Sequence, residues 1–129
     1  MYFDTATLTR LLSDAETQQS AAPVIAALRR RFTSPLAVAG TILALRGKGL
    51  EPAELETHVT DYLDLAGIEL RDMPPSHKLI EAATKAVMGG GGELDAVLHG
   101  ACADYYEAAT FSLDNPPAAA DAPPAAPDA

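Results

Sequence analysis

The chain has 129 residues, 48% of them hydrophobic, one cysteine and a formal net charge of −9. This length suits one domain with one core. The single Cys102 excludes an internal disulfide, and the acid excess disfavours nucleic acid as a partner. Trp is absent and aromatic residues make up 5%, so the core is expected to be mostly Leu, Val, Ile and Ala.

The charge is unevenly placed. Residues 1–50 carry six bases and three acids, and residues 51–129 carry three bases and fifteen acids. Such a chain can pair its own halves or present two faces of opposite sign. The stretch Met1-Tyr2-Phe3-Asp4-Thr5 has no basic region with an apolar run behind it, so no signal peptide is expected and the expected location is cytoplasmic.

Asp4 is a candidate cap for a first helix from about Thr5 to Gln19, with Leu8, Leu11, Leu12 and Ala15 on one stripe and Arg10 and Asp14 paired outside. Ser20 then starts a second helix with Pro23 in its first turn. Arg29, Arg30 and Arg31 fall in its last turn, where the helix dipole favours cations.

Ser34 and Pro35 open a third helix, which runs to Arg46 with only Thr41 polar between its ends. A helix apolar all round has to be surrounded, and this one is too short for a bilayer, which needs about 20 apolar residues. It is expected to be the buried central helix, with Leu36, Ile42 and Leu43 almost free of solvent. Gly47-Lys48-Gly49 ends it.

Pro52 opens a fourth helix and Gly67 closes it, with Leu55, Val59, Tyr62, Leu63 and Ala66 on one side and Glu54, Glu56, Asp61 and Asp64 on the other. After a link from Ile68 to Met73, Pro74-Pro75 introduces a fifth helix through Met88, with Leu79, Ile80, Ala83, Ala86 and Val87 facing in. Gly89 to Gly92 form a joint. A sixth helix is expected from Glu93 to about Leu113, its inner arc formed by Leu94, Val97, Leu98, Ala101, Cys102, Tyr105, Ala108 and Ala109. No stretch alternates with period two, so no sheet is expected.

The reading is an all-α, compact bundle of about six short helices around a buried central helix. Residues 1–113 form the domain. Residues 114–129, rich in Pro, Ala and Asp, form a disordered tail with no large apolar residue to offset its ordering entropy.

Tests for chemistry mostly fail. Gly40 to Lys48 resembles a phosphate loop, but Ile42 and Gly49 stand where Gly and Ser or Thr are required. His99 and Cys102 are three apart on a helix, yet His99 is expected on the outer face near Asp95, and no further ligand pair completes a zinc site. No cofactor or metal is therefore expected. His58 between Glu54 and Asp61 reads as a surface ion pair. Cys102, on the core side without a basic neighbour, reads as a small hydrophobe.

The residues left for partner binding are Arg29, Arg30 and Arg31 in the basic half and Glu54, Asp61 and Asp64 in the acidic half. The expected function is that of a noncatalytic helical adaptor or assembly accessory that contacts another protein or a second copy of itself, with no membrane involved. The alternatives are an acidic inhibitor that mimics nucleic acid, and a small enzyme or enzyme subunit without a recognisable motif.

Overall fold

A computed structural model describes residues 1–117, so the tail expected to be disordered lies, from residue 118 on, outside the described residues. Residues 114–117 are described, and Asp114 accepts a bond from Arg10 Nη1 at 3.0 Å. The protein is mostly helical. The elements are α1 (Thr5–Ser13), α2 (Ala15–Ala26), β1 (Phe32–Thr33), α3 (Pro35–Ala44), a 3-10 turn (Pro52–Glu54), α4 (Leu55–Ala66), β2 (Glu69–Leu70), α5 (Ser76–Met88) and α6 (Leu94–Tyr105).

Local signals explain most boundaries. The Asp4 carboxylate accepts the Thr7 N–H, and the Ser34 hydroxyl oxygen accepts the Ala37 N–H. Gly67 closes α4 in the left-handed region that glycine enters at little cost. The break between α1 and α2 lies at Asp14, six residues before the expected start at Ser20. The Asp14 carboxylate accepts from the Glu16 N–H and from the Thr17 hydroxyl, so it caps α2 rather than pairing with Arg10. Those bonds hold its carboxyl below the usual range, the Thr17 bond contributing most. Pro23 thus lies inside α2, near its end.

The expectation of no sheet fails. β1 and β2 pair in parallel, and single parallel bridges join Tyr2 to Phe32 and Tyr2 to Thr110. The order across this small sheet is therefore β2, β1, the segment around Tyr2, and the segment around Thr110. Each piece is too short for alternation to register in the sequence.

Two clusters form the interior. The larger is built on Phe3, Leu8, Leu11, Ile25, Leu45, Val59, Leu63 and Phe111, with α1 packed on both α2 and α3 and α4 packed on α3. The smaller comprises Tyr2, Phe32, Cys102, Ala103 and Tyr106. α3 is less enclosed than expected. It buries Ala37, Val38 and Thr41, whereas Leu36 and Ile42 are partly exposed and Leu43 is 57% exposed. Close approach to α1 makes the contact. At Gly40, an added Cβ would lie 2.6 Å from Thr5 Oγ1 and 2.8 Å from Thr5 Cγ2. The buried line is thus set by small residues against α1, and the larger side chains of α3 fall beside it.

α6 also ends earlier than expected. Its cap is Tyr106, and Glu107 follows at φ 57°, turning the chain back toward Tyr2. Tyr106 is buried while Tyr105 is 49% exposed, so the inward tyrosine is the neighbour of the one expected.

Two glycine substitutions test the close approach. Gly40→Ala is expected to destabilise by about 1–3 kcal/mol through overpacking against Thr5. Gly100→Ala, where an added Cβ meets nothing within 4 Å, is expected to stabilise by about 0.5–1 kcal/mol through helix propensity. Urea denaturation of both variants measures the difference.

Candidate interaction surface

α5 is the least enclosed of the α-helices described. None of its thirteen residues is buried, and its main neighbour is α6. The apolar arc expected to face inward is split. Leu79 and Ala86 are half-buried, together with Ala82. Ala83 is exposed, Ile80 is 67% exposed and Val87 is 74% exposed. At 100° per residue, Ile80, Ala83 and Val87 form one line beside the half-buried strip, so α6 covers only part of a wider apolar arc. Met88, at the end of the helix, is 81% exposed.

The joint after α5 is openly packed. Gly90 and Gly91 take φ values of 106° and 117°, and an added Cβ at either meets nothing within 4 Å. α6, by contrast, is anchored on its other side.

That anchor is a polar cluster that the sequence did not reveal. Tyr2 is fully buried. Its hydroxyl lies 2.7 Å from Ser34 Oγ and 2.6 Å from His99 Nδ1, while His99 Nε2 lies 3.1 Å from Thr5 Oγ1. His99 is thus turned inward, not outward beside Asp95. One row of bonds joins α6, the N-terminal segment, the cap of α3 and the start of α1. Burial pushes the His99 imidazole below its ordinary range, against the opposing charges of Asp4 and Asp95. Burial also raises the Tyr2 phenol, partly offset by Ser34. The buried Cys102 thiol is raised too, again chiefly by burial, and its sulfur lies 3.9 Å from Met73 Sδ. At neutral pH the three groups are uncharged, and the arrangement acts as a hydrogen-bonded staple. The Tyr106 hydroxyl adds a bond to Asp72 O at 2.8 Å. The only hint of this cluster in the sequence was that His99 and Cys102 share a helix at a spacing of three.

The residues singled out for partner binding fall in the link before β1, the 3-10 turn and α4. α2 ends at Ala26, so the three arginines lie in the link to β1 rather than in a helical turn. Arg29 is exposed. Arg30 donates to Tyr106 O at 3.0 Å and lies 4.8 Å from the Phe32 ring centroid, where Arg71 lies at 4.4 Å. Arg31 donates to Ala66 O at 2.9 Å and so helps to close α4. Glu54, Asp61 and Asp64 are all exposed. His58 forms no ion pair with Glu54 or Asp61. Among the described residues no group of three or more His, Cys, Asp or Glu could hold a metal, and no helix is long and apolar enough to cross a membrane.

The depressed imidazole sets a pH dependence. Its folded-state pKa lies below the unfolded value near 6.5, so its contribution is complete above that value and is lost as pH falls toward the folded pKa. Stability is expected to decline on acidification from pH 7 to 5, and His99→Gln is expected to flatten that decline. Tyr2→Phe, which removes the shared partner of Ser34 and His99, is expected to cost about 1–3 kcal/mol at pH 7. Thermal melts across this pH range measure both effects. The chain matches no protein-family model and no curated protein.

Proposed function

We propose that the protein is a noncatalytic helical adaptor that binds another protein through the open face of α5. The observation that carries this reading is that α5 buries none of its residues while displaying Ile80, Ala83 and Val87 in one line. Large exposed apolar groups in contiguous array mark contact sites more often than they mark ordinary surface. An apolar line on a helix suits a partner that lays a helical apolar face of its own against it. A distinct protein fits better than a second copy, because two chains of net charge −9 repel each other on approach. The exposed Glu54, in the 3-10 turn, and Asp61 and Asp64, on α4, form no part of this contact.

A photo-crosslinking amino acid placed at Ala83, with the same group at Glu56 on α4 as control, tests the reading in cells of the source organism. The expected result is one protein trapped from Ala83 and not from Glu56, with trapping abolished by Ile80→Glu together with Val87→Glu. Because both side chains already face solvent, this double change should alter folding stability by less than about 1 kcal/mol. An apolar contact is also expected to survive high salt, whereas a nucleic-acid mimic would release its partner. Equal trapping from both positions, or trapping only of the chain itself, would overturn the proposal.

A further inference from the structure

A groove of about 380 Å³ lies between α2 and α4, lined by residues of both helices and of the link before β1. Its size falls within the range of small-molecule sites, about 300–1,000 Å³. Ile25, Ala26 and Leu65 supply apolar lining. Ile25 is buried, whereas Leu65 is 80% exposed at the groove. Four polar side chains also line it: Arg31, Tyr62, Gln19 and Gln18, the last already donating to Leu11 O at 2.9 Å.

Their hydrogen-bonding capacity is largely unused. Arg31 spends one N–H on Ala66 O, at 2.9 Å, and the rest of its donor fork has no partner among the described residues. The Tyr62 hydroxyl has none either among the described residues, and it is open to solvent rather than enclosed, since the buried side-chain oxygen left without a partner is Thr9 Oγ1. The Gln19 amide is likewise without a partner among the described residues. A guanidinium with donors to spare and a phenol lining the same groove, set beside apolar walls, are a complement for one anionic head on an apolar body. The planar fork of arginine matches a carboxylate in particular.

We propose that this groove binds a small monocarboxylate with an aliphatic body, its carboxylate on Arg31 and Tyr62 and its chain along Ile25, Ala26 and Leu65. A peptide with a free C-terminus carries the same head group but suits the groove less well. Both walls are helices whose backbone groups are bonded internally, so no strand edge is offered to an extended chain. The site is separate from the α5 face and does not depend on the adaptor reading.

Decanoate is the probe, titrated into the full chain and followed by backbone amide chemical shifts. Decanol, with the same chain length and no charge, is the control. Saturable shifts in α2 and α4 are expected with decanoate at concentrations below about 1 mM, the weak end of specific binding. Decanol is expected to bind at least about tenfold more weakly, reflecting the charge-assisted bond to Arg31. Arg31→Met should weaken decanoate by a similar factor. Because Arg31 also helps to close α4, Leu65→Glu serves as a second variant. It removes apolar lining and places an anion at the groove, so it should weaken decanoate by a larger factor than decanol. Equal affinity for decanoate and decanol would overturn the proposal. So would the absence of saturable shifts, or a concentration-dependent rise in mass without decanoate that Leu65→Glu abolishes, which would assign the groove to a second copy.

Discussion

The fold depends on the burial of Tyr2. Its backbone N–H donates to Ala109 O at 2.7 Å, and its carbonyl accepts from the Phe111 N–H at 2.8 Å. On the other side of the same segment, Phe32 N–H donates to Met1 O and Phe3 N–H donates to Phe32 O. One short extended stretch thereby satisfies backbone groups from two distant parts of the chain, around Phe32 and from Ala109 to Phe111. Its side chain holds Ser34 and His99 from the same position. Buried polar groups are costly when unpaired, so this network specifies one arrangement of its elements. Phe3, next along, stacks on Phe111 at 4.7 Å between ring centroids and extends the same junction into the larger core.

Around this junction, enclosure is uneven. α1, α3 and α4 contribute to the larger cluster, and α6 to the smaller one, whereas α5 contributes to neither. An element held mainly by one neighbour has few contacts to lose when it opens, which places it at the low-stability end of the structure. The α5 face and the groove between α2 and α4 differ in kind. The first is an open line of aliphatic groups on a lightly held helix. The second is a recess with polar groups at fixed positions, between helices that belong to the main core.

The helices were legible where the chain carries its own punctuation. Pro52 and Gly67 bracket α4, and Pro74-Pro75 with the four glycines bracket α5, because these residues act locally through φ and the missing N–H. The errors came where distant contacts decide. Asp14 is the exception, since its capping bonds to Glu16 and Thr17 are local and it is its spacing from Arg10 that suggests a mid-helix acid. The pair Tyr105-Tyr106 offers two inward candidates one step apart, and the packing of Tyr106 on Tyr2 and Phe32 with its bond to Asp72 distinguishes them. An apolar run without polar residues leaves the angular position of α3 open, and the small-residue contact at Gly40 decides it, at the expense of Leu43. Composition expected the cluster around Tyr2 least of all. Its bond partners are 32 and 97 residues away, beyond the reach of any local pattern. For the candidate surface, the chain revealed the width of the apolar arc on α5 but not that α6 is too narrow to cover it.

The pairing of Tyr2 with Thr110 also bears on how the chain is made. Synthesis proceeds from the N-terminal side, so Tyr2 and Phe3 emerge long before the segment that encloses them. Contacts this far apart in sequence slow folding, because loop closure has to precede the gain from pairing. Until residues 109–111 arrive, two aromatic side chains and the backbone groups beside them stand open in the nascent polypeptide. Such groups are points of attachment for chaperones and of misassembly between unfinished chains. Among the described residues, the strand-like segment around Thr110 is translated after the one around Tyr2 that it seals.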